Sequence, residues 1–180
     1  MANEFFGRLM DTGEFRFNEN GILFYFGAPT MLFNINTMVS LQKDLEEKNV
    51  AEESLKKVGG NQSRRALKRY EDRYNFDELS RNEIMKFIDD LTDVIALGEF
   101  TISKMDQKED IVYAIENRTN PIARVYRKEY GEADSPRDFF LQGLIEKGLD
   151  ALESKDLEVE EKECMAKGDD RCLFVARPKD

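Results

Sequence analysis

The chain has 180 residues, 41% hydrophobic and 36% charged, enough apolar mass for a core under a heavily charged surface. Its formal net charge of −10 repels phosphate backbones and argues against nucleic-acid binding. No apolar run approaches the ~20 residues that span a bilayer, and the opening MANEFFGRLMDTGEF lacks the basic and apolar regions of a signal peptide.

The expected address is therefore the cytoplasm, where thiols stay reduced and a cysteine pair is more often a metal or redox site than a bridge. In chain order, Gly13 to Gly27 reads as a hairpin. Phe15 and Phe17 alternate with charged residues, Asn18-Glu-Asn-Gly21 supplies the turn, and Ile22-Leu-Phe-Tyr-Phe26 forms the second strand. Ala28-Pro29-Thr30 reads as the start of a helix, with proline in its first turn and Leu32, Ile35, Met38, Val39 and Leu41 along it. A second helix is expected from Ala51 to Tyr74, interrupted at Gly59-Gly60. A third runs from Asp77 to about Leu97, with Ile84, Phe87, Ile88, Leu91, Val94 and Ile95 on one face and Gly98 at its end.

The period then changes to two. Phe100 to Met105 and Ile111 to Ile115 read as antiparallel strands around the polar turn Asp106-Gln-Lys-Glu-Asp110. Ser135-Pro136-Arg137-Asp138 has the form of a capping box opening a helix that carries Leu141, Leu144, Ile145, Leu149 and Leu152. Strands from Leu157 to Ala166 and Arg171 to Ala176 follow. Grouped rather than alternating elements predict an α+β fold, an antiparallel sheet packed against several helices. One domain is expected over residues 1–180, with a hairpin and helices in 1–98 and strands, a helix and a cysteine hairpin in 99–180.

That last hairpin, EEKECMAKGDDRC over residues 160–172, holds both cysteines, and the chain has no histidine. A turn at Gly168-Asp169 brings Cys164 and Cys172 face to face, which suits two thiolates on one metal, or a disulfide. Zinc wants four ligands, so carboxylates, water or a second subunit must complete the set. Glu161 and Glu163 are nearest, yet strand alternation puts both on the face opposite Cys164 unless a bulge intervenes. Two ordinary buried cysteines are the plainer alternative.

Gly143 and Gly148 sit inside a good helix, where each costs ~1 kcal/mol against alanine and asks for a close backbone neighbour. Phe24, Tyr25, Phe26, Phe33, Phe87, Tyr113, Phe139, Phe140 and Phe174 could line a cavity, though their periods fit a core. Arg64, Arg65, Lys68, Arg69 and Arg73 make a basic stripe, balanced by nearby acidic residues into a salt-bridged face. No nucleotide-binding or Cys-x-x-Cys motif supports redox chemistry.

Glu161-x-x-Cys164, Gly168-Asp169 and Cys172-Leu-Phe174, preceded by Phe139-Phe-Leu-Gln-Gly143, resemble the C-terminal signature of the 4-vinyl reductase domain family, most tightly over Asp138 to Val175. Val58-Gly59-Gly60-Asn-Gln-Ser-Arg64 is similar to the family's glycine-containing second helix. The resemblance implies a fold shared with small subunits of the TRAPP vesicle-tethering complex, often dimeric, with a hydrophobic cavity between helices and sheet. In related domains of phenol-sensing transcription activators it implies an aromatic ligand and a zinc held by three cysteines and a glutamate. Carried onto this chain, the ligands are Glu161, Cys164 and Cys172. The remaining family cysteine falls near Asp138, where aspartate can ligate but the capping box offers it another task.

The function so implied is a sensory module, homodimeric or working through a partner, that binds a small hydrophobic or aromatic molecule and holds a structural zinc. A TRAPP-like interaction scaffold without a small ligand is the alternative, and an accessory role in tetrapyrrole vinyl reduction the third. The family name does not oblige the chain to be an enzyme.

Overall fold

A computed structural model describes residues 2–80, 82–84, 86–88, 97–107 and 110–179 of the chain. The architecture is α+β, with two antiparallel sheets and helices packed on them. Helix α1 (Ala2–Asp11) precedes a three-stranded sheet of β1 (Phe15–Phe17), β2 (Leu23–Tyr25) and β3 (Ala28–Thr30). Then come α2 (Ile35–Glu47), α3 (Ala51–Tyr74) and a single 3-10 turn at Phe76–Glu78. After it, residues 82–84 and 86–88 are helical. The second sheet contains β4 (Phe100–Gln107), β5 (Asp110–Asn117), β6 (Leu157–Glu163) and β7 (Cys172–Pro178), in the order β4-β5-β7-β6. Between β5 and β6 lie α4 (Pro121–Tyr130) and α5 (Phe139–Glu153).

The first hairpin forms as its turn residues dictate. Asn18 Oδ1 accepts from the amides of Asn20 and Ile22 at 3.0 and 2.9 Å, and Gly21 takes the left-handed φ of 74° that the turn needs. The expected helix at Ala28 is instead the edge strand β3, in which Pro29 sits opposite Phe24. Proline lacks a ladder donor, and an edge strand is where a sheet accepts it. Helix α2 starts later, where Asn34 Oδ1 caps the Thr37 amide at 3.0 Å. Leu32 consequently lies outside the helix and Leu41 on its exposed side, while Val39 and Gln42 face inward.

Helix α3 is not interrupted at Gly59-Gly60; it runs unbroken for 24 residues. The glycines answer a tertiary demand. A Cβ on Gly59 would collide with the Phe140 carbonyl, and one on Gly143 with the Lys56 carbonyl. Helices α3 and α5 therefore cross with backbone against backbone, which only paired glycines permit. Of the expected third helix, Ile84, Phe87 and Ile88 pack inward, whereas Leu91, Val94 and Ile95 lie outside the described residues.

Apolar side chains gather in two clusters. The larger one packs the inner face of the second sheet (Tyr113, Ile115, Phe174, Ala176, Leu157, Val159) against α2, α4 and α5 and includes both cysteines. The smaller joins Phe5 and Leu9 of α1, Phe26, Leu67 and Tyr70 of α3, and Phe76. Its rings meet edge to face, with Phe26 4.8 Å from Tyr70 and Phe87 5.3 Å from Tyr70. Of the basic stripe on α3, Arg73 reaches back to Glu14 at 3.1 Å and ties that helix to the first hairpin.

Gly143→Ala and Gly59→Ala should each lower stability by about 1–3 kcal/mol or more in urea unfolding, because one methyl must force two helices apart. Gly7→Ala, in α1 with nothing within 4 Å of the added carbon, should instead stabilise by up to ~1 kcal/mol. Equal effects at the three positions would contradict the close helix crossing.

Candidate metal centre

Alternation along the second sheet sends Cys172, Phe174 and Ala176 of β7 inward, beside Tyr113, Ile115 and Asn117 of β5 and Leu157, Val159 and Glu161 of β6. A regular β6 would continue the inward row at Glu163 and turn Cys164 out. It does not, because the register of β6 against β7 shifts between Glu161, opposite Phe174, and Glu163, opposite Leu173. The extra residue, Lys162, is a bulge that reverses the parity. Glu161 and Cys164 thus face the same interior, and Glu163 turns outward to accept Arg171 Nε at 2.7 Å.

After Cys164 the chain does not continue as a strand but makes a 3-10 turn at Met165–Lys167 and passes through Gly168 at φ 100°. Asp169 Oδ2 accepts the Cys164 amide at 2.7 Å and holds this turn closed. The Met165 amide points at Cys172 Sγ, 3.3 Å away. From the other side, the Ser135 capping box does not form. Helix α5 begins at Phe139, and the Asp138 side chain makes no capping bond; it turns instead into the cysteine pocket. A cap competes poorly here because Asp138 is buried among groups that need it.

Asp138, Glu161, Cys164 and Cys172 are all buried, with one ligand atom from each lying within 4.8 Å of all the others. Cys172 Sγ is 3.0 Å from Asp138 Oδ2, and Cys164 Sγ is 3.8 Å from it. The Asp138 amide donates to Glu161 Oε2 at 3.0 Å, and Asn120 Nδ2 donates to Asp138 Oδ2 at 2.7 Å. Among the described residues, Asp138 Oδ1 and Glu161 Oε1 are buried with no hydrogen-bond partner. Two orphaned carboxylate oxygens beside two thiols are a donor set that fits a metal ion. Tetrahedral sulfur and oxygen ligands of one ion stand about 3.3–3.8 Å apart, a modest contraction from the spacing seen.

The electrostatics agree. Burial raises the Asp138 carboxyl, and burial with the neighbouring Asp138 charge pushes Glu161 up to about 12. The hydrogen bond between the thiols, together with burial, raises Cys172, while that same bond brings Cys164 down to about 7. Without a cation the pocket must therefore hold protons. A divalent ion reverses that preference, drawing out thiolates and carboxylates together.

The expected ligand candidates all meet here: the sequence resemblance placed Glu161, Cys164, Cys172 and Asp138 together, and Glu163, also considered, lies outside. Sequence reasoning missed Asn120 and the helix it caps. The signal was present, since Asn120-Pro121 is a capping residue followed by proline at the first helical position. The nine aromatics do not share a cavity: Phe33 is exposed, Tyr113 and Phe174 belong to the larger core, and Phe26 belongs to the smaller one. Two open clefts flank the candidate centre, and both are polar. One, of ≈ 570 Å³, is lined by Arg118, Glu163 and the Gly168–Arg171 turn. The other, of ≈ 530 Å³, lies between Glu46, Glu52, Arg137 and Phe139.

The family model of the vinyl-4-reductase domain matches residues 123–178, which include most of the span that carried the resemblance. No curated protein matches the chain. Among solved structures, the phenol-responsive sensory domain of the transcription activator PoxR with phenol is similar at a TM-score of 0.81 and 16% identity, over 99% of this chain and 90% of that one. A vinyl-4-reductase family protein from Methanocaldococcus jannaschii gives a TM-score of 0.56 at 16% identity, over 84% and 85%. A trafficking protein particle complex subunit 3 from Naegleria fowleri, covalently bound to palmitic acid, gives 0.51 at 18% identity, over 82% and 96%. At such identities the likeness establishes the fold. Among the described residues, no helix is long and apolar enough to cross a membrane.

Because Asp138 and Glu161 hold protons when the pocket lacks a cation, metal uptake must displace them, and affinity should rise with pH. Each proton released adds about a tenfold gain per pH unit. Isothermal titration with cobalt between pH 6 and pH 8 should show affinity climbing with pH; a flat profile would contradict this protonation of the pocket.

Proposed function

We propose that this chain is a sensory module that binds a small hydrophobic or aromatic molecule, with structural zinc held by Asp138, Glu161, Cys164 and Cys172. The observation that carries this reading is the buried four-ligand pocket at the junction of the β6–β7 hairpin and the start of α5. The fold likeness over nearly the whole chain to a phenol-responsive sensory domain supports the ligand class. Two thiolates select zinc over calcium or magnesium, and four protein ligands leave no open position for catalysis. Bound there, zinc would supply a cross-link that contributes directly to folding free energy. The guest would enter the smaller, aromatic cluster, where Phe26, Tyr70 and Phe87 already present ring edges and faces. Output would pass through a homodimer or a separate protein partner in the cytoplasm.

A scaffold without a small ligand is the second reading. It draws on the polar lining of both clefts and on the exposed run Met31-Leu32-Phe33, an apolar surface available to a partner.

Native mass spectrometry of protein purified without added metal or chelator is the deciding experiment. One zinc per chain together with phenol or cresol retained on addition supports the sensor; zinc without any aromatic guest, at any tested phenol concentration, favours the scaffold. Cys164→Ser should lose zinc and lower the melting temperature together. With free zinc at a hundredfold excess over its Kd the lost stabilisation is about 2.7 kcal/mol, roughly 5–10 °C for a chain of this size. Asp138→Asn should lose zinc while leaving helix α5 in place, since its side chain caps nothing. Unchanged zinc content in both variants would overturn the ligand assignment.

A further inference from the structure

Asn120 is fully buried and belongs to neither of the elements that carry the four ligands. Its side chain nonetheless meets two of them. Nδ2 donates to Asp138 Oδ2 at 2.7 Å and to Cys172 Sγ at 3.3 Å. Oδ1 accepts from the amides of Ile122 and Ala123 at 3.0 and 3.2 Å, capping α4. An amide has two donor hydrogens and two acceptor lone pairs, and here every one is used. The orientation follows from these partners. A flipped amide would set its oxygen against a carboxylate and its hydrogens against two N–H groups.

The consequence for the pocket lies in which oxygen each carboxylate keeps free. Asn120 occupies Oδ2 of Asp138, and the Asp138 amide occupies Oε2 of Glu161. The oxygens left over, Asp138 Oδ1 and Glu161 Oε1, are the two buried atoms without a partner. Each carboxylate is thereby held by one oxygen and offers the other, the arrangement a four-coordinate ion requires and a bidentate one does not. The same amide donates to the Cys172 sulfur together with the Met165 N–H, offsetting negative charge where two thiolates and two carboxylates would surround one divalent ion.

Resting on the metal reading of this site, we infer that Asn120 is the positioning residue of the centre: its amide fixes Asp138 as a one-oxygen ligand and steadies the Cys172 thiolate, tying metal binding to the N-terminus of α4. Two substitutions separate this from simple capping. Serine and aspartate both cap helices about as well as asparagine. Asn120→Ser removes the two donors, and Asn120→Asp replaces them with a fifth negative charge.

The test is cobalt titration of the full chain, read by the thiolate-to-cobalt charge-transfer band and the visible d–d bands. The wild type should give the intense d–d bands of a four-coordinate site. Asn120→Ser should bind about 10-fold more weakly and Asn120→Asp about 100-fold, with shifted d–d bands in whatever complex forms and with far-UV circular dichroism unchanged. In the wild type loaded with cadmium-113, the Asn120 side-chain amide proton should show scalar coupling to the metal through the N–H···S bond, a readout that capping alone does not produce and that needs no variant to fold. Wild-type affinity and spectra in both variants, or a cadmium-loaded wild type without that coupling, would overturn the inference and leave the metal site standing. A wild type that takes up neither cobalt nor cadmium would remove the metal reading and this inference together.

Discussion

Four acidic side chains cannot share one dry pocket in their charged forms without a counter-charge, and much of the C-terminal half is arranged around that constraint. Moving even one carboxylate from water into a low-dielectric interior is so costly that it protonates instead. This pocket brings together two carboxylates and two thiols, all buried. Apolar residues of similar volume would fill the same space with no such difficulty, and substitutions of that kind in other proteins often stabilise. A cluster held this tightly, with two carboxylate oxygens left bare, makes chemical sense around a cation.

The surrounding structure shows how much local geometry the convergence takes. The bulge at Lys162 reverses strand parity so that Glu161 and Cys164 face one way. The 3-10 turn after Cys164 returns the chain so that Cys172 follows on the neighbouring strand. Asp138 arrives from the opposite direction at the head of α5, and its height above the sheet depends on the glycine contact of α5 with α3. Gln42 of α2 fixes the preceding residue by donating to the Arg137 carbonyl at 2.7 Å. On the same helix Glu46 accepts from Tyr126 of α4 at 2.8 Å. The pocket is thus framed by α2, α4 and α5 on one side and the β6–β7 hairpin on the other.

Which of this could be read in advance follows from the range of each interaction. Alternation and turn chemistry are local, so the first hairpin, β4, β5, β6 and β7 were legible. So were the length of α3 and the pocket residues carried by the C-terminal motif. What failed was set by partners distant in sequence. Gly59-Gly60 looked like a break because glycine is locally a poor helix former, yet the deciding contact is Phe140, some eighty residues on. Ser135-Pro136-Arg137-Asp138 matched a capping box, but buried thiols claimed the aspartate. Pro29 suggested a helix start because proline fits a first turn and an edge strand equally well. The bulge was foreseen only as a condition, since nothing in Glu-Lys-Glu marks where a ladder slips.

The two hydrophobic clusters divide the molecule's tasks in a way that bears on the sensor reading. The candidate metal centre sits in the larger cluster, where strand pairing, three helices and the hairpin all constrain it. The aromatic cluster is built from short elements: α1, the end of β2, and the 3-10 turn. Helix α3 is the one long element common to both regions, carrying Tyr70 into the aromatic rings and Gly59 against α5. The eleven residues between them span about 16 Å of rigid helix. A guest that displaces Tyr70 therefore acts on a lever whose far end has no slack, because the Gly59–Gly143 crossing is already at backbone contact. Any movement there must be taken up by α5, whose first turn follows directly on Asp138. Coupling of aromatic occupancy to metal geometry needs no further element than this helix pair, and it is the close crossing, not the metal, that makes the connection stiff.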